Sequence, residues 1–140
     1  MNQKLKPAAI SAAKALYNNA PTIIGIVLLI SLISTLIPKS FYISLFFKNV
    51  FLDSLIGSII GSILAGTPIT SYILGGELLK QGVSLTAVTA FLVAWVTVGL
   101  VQLPAESMML GRRFAILRNI ISFVFSIIVA ILTVVILGAI

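Results

Sequence analysis

The chain has 140 residues, of which 60% are hydrophobic and only 9% are charged. Soluble domains carry roughly 25% charged residues, so a soluble fold of this size is excluded and an integral membrane protein is predicted. Only helices and closed barrels span a bilayer, and long continuous apolar runs favour helices over the short alternating segments of a barrel. The sequence therefore predicts an all-α polytopic fold, with residues 1–140 forming a single integral membrane domain.

Charge and residue inventory narrow the function further. The net charge is +6, and the chain has no histidine and no cysteine. The basic residues lie mostly at the ends of apolar runs, which favours contact with lipid headgroups over binding of nucleic acid. The sequence offers no Ser–His pair, metal-ligand cluster or phosphate-binding loop, so the chain is predicted not to be an enzyme, and no cofactor or metal is expected.

The first 20 residues form a basic, partly amphipathic segment. Ala8 to Tyr17 is predicted to be a short helix at the membrane interface, and a cleaved signal peptide is the competing interpretation. The first span is expected from Pro21 to Ile37, with Pro21 in its first turn or at a kink and Pro38 at its end. The basic residues of the segment are Lys4, Lys6 and Lys14.

Two features follow the first span. Lys39 to Asp53 is rich in aromatic residues and is predicted to be an interfacial connector. Ser54 to Ala65 is predicted to be a half-length apolar helix, and its small residues are expected to pack against another helix. Those residues are Ser54, Gly57, Ser58, Gly61 and Ala65.

The most informative stretch is Gly66 to Gly82, GTPITSYILGGELLKQG. Pro68 lacks an amide donor and disfavours a helical residue before it, so a helix break is predicted at residues 66–68, with a second helix from Ile69 to Lys80. Such a helix reaches about 18 Å, little more than half of the hydrocarbon core. The two half-length helices are expected to form either one broken span or a re-entrant hairpin.

A break of this kind predicts a binding site. Free backbone groups in hydrocarbon need protein or a water-filled cavity, and transporters bind substrates at broken helices whose amide ends carry partial positive charge. The competing interpretation is a kink whose hydroxyls cap its own backbone. The predicted site for a small polar or ionic solute comprises Gly66, Thr67, Pro68, Thr70, Ser71, Tyr72, Thr86, Thr97 and Gln102.

Local signals describe the chain just after the break. Glu77 and Lys80 lie three residues apart and are predicted to pair near the interface. Gly82 is predicted to stop the helix and Ser84 to cap the next one.

A full span is then predicted from Leu85 to Leu103, ended by Pro104, with Trp95 lining a cavity or filling space. One side of this span is small and polar, and we expect it to face protein or a cavity. That side contains Thr86, Thr89, Ala90, Ala94 and Thr97.

The C-terminal part is predicted to hold a non-helical stretch and a last span. Gln102 to Arg113 is the stretch, with Glu106 paired to Arg112 or Arg113. Met108 and Met109 are assigned to packing rather than to a soft-metal site. Arg118 to Ile140 is the span, and its polar and small residues are expected to face another helix. They are Asn119, Ser122, Ser126, Ala130 and Thr133.

The basic residues bear on topology. A broken span leaves four of them on the N-terminal side and five on the other, which permits dual orientation. A hairpin divides them six to three and therefore gives one orientation, so the charge distribution slightly favours the hairpin. Either geometry gives about four to five transmembrane helical elements, placed in the cell membrane.

The segment TPITSYILGGELLKQGVSLTAVTAFLVAW, followed by Leu110 to Arg113, resembles the ArsP-type predicted permease family. Members of that family are about twice this length and have two related halves, so the resemblance implies a half-length permease. Some members export methylated arsenic and are thought to use cysteines near the motif, where this chain has threonine and serine. The matching positions are Pro68, Ser71, Leu79, Gly82, Ser84, Ala90, Phe91, Leu92, Ala94 and Gly111.

The sequence therefore predicts a transporter subunit that works as a homodimer or with a paralogous half-permease. The Gly57/Gly61 face and the Asn119/Ser122/Ser126 face are the candidate dimer contacts. A structural or binding subunit of a larger membrane complex is the rival hypothesis, and a small channel is the third. The solute, the coupling ion and the direction of transport stay open.

Overall fold

The structure is a computed structural model that describes residues 5–36, 38–46, 49–64 and 66–139. Throughout these residues the regular secondary structure is helical and no strand occurs, which confirms the all-α prediction for them. Predictions for Lys4, Ile37, Lys48, Ala65 and Ile140 fall outside this part of the chain. The helices are α1 Leu5–Leu36, α2 Lys39–Leu45, α3 Val50–Ile63, α4 Pro68–Lys80, α5 Leu85–Thr97, α6 Leu103–Leu110 and α7 Arg112–Ala139.

The chain divides into two compact units, Met1–Leu36 and Ile37–Ile140. The first contains α1, a single helix of 32 residues with Pro21 in its interior. The predicted interfacial helix and first span are therefore continuous. Of the two positions predicted for Pro21, the first turn is wrong, and the interior position leaves the kink as the alternative. Alanine-rich sequence before Pro21 and apolar sequence after it both favour helix, so the loss of one hydrogen bond at the proline does not end it.

The second unit is arranged around α5, with α3 parallel to it. Near the start of both helices, the Ser84 hydroxyl donates to the Asp53 carboxylate at 2.6 Å. Further along, a Cβ added to Gly57 would overlap the carbonyl of Ala87, so the two backbones are in direct contact there. The small-residue face of α3 packs against another helix, as predicted, because only small residues allow this approach. Its buried members are Ser54, Gly57, Ser58, Gly61 and Ser62.

The predicted helix break is present, and the chain reverses at it. α3 ends at Ile63 and α4 begins at Pro68. α4 then returns along α5 in the opposite direction, because Gly75 lies against Val88 and Leu92 while the next residues lead back to the start of α5. The start of α3 and the end of α4 thus lie at the same end of α5, which is the hairpin alternative rather than a straight broken rod.

The local predictions around α4 are confirmed. Glu77 and Lys80 form an ion pair at 3.3 Å. Gly82 has φ of 92° and ends the helix, with the amide of Val83 donating to the carbonyl of Leu78 at 3.1 Å. The Ser84 hydroxyl accepts from the amide of Ala87 at 3.3 Å and caps α5.

The helix boundaries after α5 differ from the predicted ones. α5 ends at Thr97 instead of Leu103, because the backbone leaves the helix and the Gly99 amide donates to the Asn119 side chain at 2.8 Å. Pro104 lies in the first turn of α6, where its missing donor costs no hydrogen bond. The stretch predicted to be non-helical is therefore largely the helix α6, and α7 begins at Arg112 rather than Arg118.

α7 runs antiparallel to α3 and α5. Its Asn119 lies beside Gly99, just past the end of α5, and its Ser126 hydroxyl lies 2.8 Å from that of Ser58 in the middle of α3. Among the described residues, Arg112–Gly138 is the one stretch of helix long and apolar enough to cross a membrane. α3 and α5 are apolar but shorter. The predicted interhelical face of α7 is buried at Asn119, Ser126 and Ala130.

Candidate functional site

The reversal between α3 and α4 forms one side of a small pocket. The pocket has a volume of about 150 Å³, enough for several water molecules. Its other side is the end of α5 and the irregular segment that follows. The lining residues are Leu64, Gly66, Pro68, Trp95, Val96, Val98, Gly99, Val101 and Gln102.

Trp95 forms the wall between the reversal and α5. Its side chain is buried, and its indole N–H donates to the carbonyl of Gly66 at 3.4 Å. The ring meets Phe91 edge to face, with centroids 5.3 Å apart. A Cβ on Gly66 would lie 2.8 Å from Trp95 Cζ2, so this position requires glycine while the indole stays in place. Trp95 therefore both fills space between helices and lines the pocket.

The hydroxyls at the start of α4 bind their own backbone. The Thr67 hydroxyl accepts from the amide of Thr70 at 3.4 Å and lies 2.9 Å from the Thr70 hydroxyl. The buried Ser71 hydroxyl donates to the carbonyl of Pro68 at 2.7 Å. This is the arrangement of the competing interpretation, in which the hydroxyls cap the helix that they belong to.

The predicted site residues are only partly brought together. Gly66, Pro68 and Gln102 line the pocket, whereas Thr67, Thr70 and Ser71 form the first turn of α4. The remaining three are dispersed, which corrects the prediction of one common site. They are Tyr72, which is exposed, Thr86, which is buried in the first turn of α5, and Thr97, whose hydroxyl donates to Val93.

Helix length explains why Thr86 is separate from the pocket. Thr86 and Trp95 lie nine residues apart on α5, which is roughly 13 Å along the helix axis. Hydroxyl periodicity on α5 indicated one polar face, but that face runs the length of the helix and only its last turn reaches the reversal.

A polar cluster beside the pocket was not predicted. Glu106 on α6 forms an ion pair with Arg118 on α7, and Arg118 also donates to the carbonyl of Thr97 at 3.0 Å. Asn119 donates to Glu106 at 3.2 Å while its side-chain oxygen accepts from the Gly99 amide at 2.8 Å. The cluster thus joins the end of α5, α6 and α7 through four polar contacts.

The predicted pairing of Glu106 with Arg112 or Arg113 is wrong. α6 and α7 meet at Gly111, whose φ of 91° turns the chain so that Glu106 lies opposite Arg118, further along α7. Asn119 directly follows Arg118, and its position at the start of an apolar span was the available signal, because polar residues in such a place are usually engaged.

Asp53 is a second polar residue whose role the sequence left unassigned. It is 1% exposed, and its carboxylate accepts from Ser84 at the start of α5. It occupies the end of α5 opposite to the pocket. An acid within an apolar helix pointed to an engaged polar group, but Ser84 lies 31 residues away in sequence.

Two other predictions on surfaces are corrected. Met108 and Met109 are 88% and 84% exposed and pack against no core within the described residues. The two faces predicted for dimer contact are occupied inside the second unit, since Gly57 and Gly61 pack on α5 and the Asn119 and Ser126 side chains bond within the unit.

Comparison with protein-family models, with curated proteins and with solved structures finds no match to this chain. The resemblance to ArsP-type permeases therefore stays a prediction that rests on the residues given above.

Proposed function

We propose that this chain is a half-size subunit of a membrane permease, multi-pass in the cell membrane, that moves a small polar or ionic solute as a homodimer or with a paralogous half. The observation that carries the proposal is the pocket at the reversal between α3 and α4. At this reversal α3 ends and α4 begins, and each helix is only about 20 Å long. Backbone groups, Trp95 and Gln102 surround a small space between them and α5. Transporters place solute sites at such interruptions.

Surface chemistry supports the membrane location. Only 11% of the most apolar window of α7 is buried within the chain, so most of its aliphatic and aromatic side chains need another apolar environment. A bilayer supplies that environment along a helix of 28 residues, about 42 Å. The charged groups Arg112, Arg113 and Arg118 lie at its beginning, where headgroups would meet them.

The requirement for a second half follows from size. α3, α4 and α5 are each shorter than the hydrocarbon core, so one copy of the second unit offers little wall for a path across the bilayer. A partner that completes the wall cannot use the Gly57 face or the Asn119 face, because both are occupied. The exposed apolar face of α7 is one surface that such a partner could use.

A second candidate function is a structural or binding subunit of a membrane complex without transport. The hydroxyl geometry favours this function. Thr67, Thr70 and Ser71 hydrogen-bond within their own helix, so they have fewer hydrogen bonds left for a solute than the sequence predicts. A small channel is the remaining alternative.

Flux through liposomes separates these functions. The purified chain is reconstituted, and uptake is followed for glycerol by light scattering and for potassium and chloride by ion-selective electrodes. We expect saturable flux of at least one probe, lost in Gly66→Ala, because the added Cβ lies 2.8 Å from Trp95. Gly76→Ala is the matched control, since no atom lies within 4 Å of its Cβ. No flux of any probe supports the structural subunit, and flux without saturation supports the channel.

Topology is tested by single cysteines in this cysteine-free chain. The Lys80 side chain is 76% exposed and lies near the start of α5. Met108 is 88% exposed and lies on α6, which follows the end of α5. We expect cysteines at these two positions to react with an impermeant maleimide from opposite sides of the membrane. Labelling of both from the same side would contradict this arrangement.

A further inference from the structure

A second cavity, distinct from the pocket at the reversal, lies on the α7 side of the second unit. It is a groove of about 470 Å³, within the size range of small-molecule sites. α3 forms one wall, the segment after α5 the second and α7 the third. Its principal apolar residues are Ile59, Ile63, Val98, Ile116, Ile120 and Val124.

The polar atoms that line the groove are already engaged. The Ser62 hydroxyl donates to the carbonyl of Ile59 at 2.8 Å. Asn119 donates to Ala115 and Glu106 and accepts from Gly99. The groove therefore offers an occupant apolar surface and almost no hydrogen-bonding capacity, which suits hydrocarbon and not a polar solute.

Two cations lie just beyond one end of the groove. Arg112 and Arg113 are exposed, and within the described residues neither has a carboxylate partner, because Glu106 binds Arg118 and Asn119. Arg113 precedes Ile116 by three residues and Ile120 by seven, so these residues share one side of α7. Basic residues at this position attract anionic headgroups.

We propose that the groove holds one acyl chain of an anionic phospholipid whose phosphate binds Arg112 and Arg113. The order of these groups along α7 fits a bilayer. The two arginines lie at the start of the helix, where headgroups would be, and the groove lies beside the apolar turns that follow. Charge complementarity selects an anionic lipid over a zwitterionic one. The inference rests on the membrane location in the proposed function, but not on transport.

Native mass spectrometry of the purified full chain in mild detergent tests the site. The probes are phosphatidylglycerol and phosphatidylcholine with identical acyl chains. We expect retained phosphatidylglycerol adducts and roughly thirtyfold weaker binding when Arg112→Gln and Arg113→Gln are combined, which is the effect of losing two basic residues near an anionic group. Lys14→Gln combined with Lys80→Gln removes the same charge elsewhere and should leave the adducts in place.

A second pair of variants tests the groove itself. Val124→Trp fills it from a half-exposed position and should abolish the adduct, whereas Ile121→Trp, next to it on α7 but outside the groove, should not. Equal binding of both lipids, or binding that neither the arginine pair nor Val124→Trp changes, overturns the proposal. The proposal is also overturned if no lipid is bound and Val124→Trp disrupts a dimer. That result would assign the groove to contact with a second copy of the chain. If the lipid site fails these tests but flux is retained, only the lipid proposal is contradicted. If the chain is recovered outside membranes, both the lipid proposal and the permease proposal are contradicted.

Discussion

The two ends of α5 are held by different chemistry. At its start, α3 approaches backbone to backbone at Gly57, and the Asp53–Ser84 hydrogen bond and the cap at Gly82 close the region. At its end, side chains bridge the neighbouring elements, with Trp95 bonded to the reversal and Asn119 to Gly99. Within the described residues, the two cavities given above both lie toward the second end. The described cavities thus lie where side chains span the distance between elements, and not where the backbones of α3 and α5 are in direct contact.

The largest expected effect concerns the packed end. Gly57→Val should lower the free energy of unfolding by about 3 kcal/mol, because its side chain would overlap the Ala87 carbonyl and force α3 from α5. Gly76→Val, where the Cβ meets open space, should change stability by no more than about 0.5 kcal/mol. Unfolding by sodium dodecyl sulfate in mixed micelles, followed by circular dichroism, measures both. Equal effects of the two variants would contradict the close approach of α3 and α5.

An intermediate effect is expected at the bridged end. Arg118→Met leaves the largely buried Glu106 without its cation and should cost about 2 kcal/mol. Arg113→Met, at an exposed position, should stay within about 0.5 kcal/mol of the parent. Trp95 is the one tryptophan of the chain, so its fluorescence reports on this end alone. We expect its emission to shift to the red in Arg118→Met, and an unchanged spectrum would show that the cluster does not support the pocket.

The smallest effect is expected for a hydrogen-bonding side chain at the start of α5. Ser84→Ala removes the cap of α5 and the hydrogen bond to Asp53, which should cost about 1 to 2 kcal/mol. The Trp95 emission should not change, because Ser84 lies at the opposite end of α5. Ser107→Ala, which loses one bond within α6, serves as the control. A red shift in Ser84→Ala would mean that the two ends of α5 are not independent.

Local sequence signals predicted the elements that short-range chemistry determines. The break before Pro68, the stop at Gly82, the cap at Ser84 and the Glu77–Lys80 pair all depend on residues within four positions of each other. The packing of the small-residue face of α3 was also predictable, because only small side chains allow two helix backbones to come into contact.

Long-range partners determine what the sequence did not reveal. The end of α5 at Thr97 is set by Asn119, which takes the Gly99 amide from 20 residues away. Gly99 is a weak sign of an interruption in this apolar run, because glycine disfavours a helix interior, but it does not identify Asn119 as the partner. Likewise, Glu106 had nearer arginines available, and only the turn at Gly111 brings Arg118 to it.

The dispersal of the predicted site has a related cause. Thr86 shares a helix with Trp95, and periodicity assigns a residue to a side of the helix without saying which turn meets the reversal. Thr97 lies in the last turn of α5, but its hydroxyl donates to the carbonyl of Val93. The hydroxyls of Thr67 and Ser71 lie at the break, as predicted. The sequence pattern did not distinguish hydroxyls that face a solute from hydroxyls that hydrogen-bond to the backbone of their own helix, as these two do.

The distribution of hydrogen bonds along α7 has a mechanical consequence. Its first part is tied to other elements through Arg118 and Asn119, its middle by the single Ser58–Ser126 contact, and within the described residues no further cross-helix bond follows, since Thr133 donates to its own helix. The C-terminal third is therefore expected to bend about the Ser58–Ser126 contact, which lies in the middle of α3 and not beside the pocket. Spin labels at Val135 should show a broader spread of distances to α5 than labels at Phe114, and equal spreads would mean a rigid rod without a pivot.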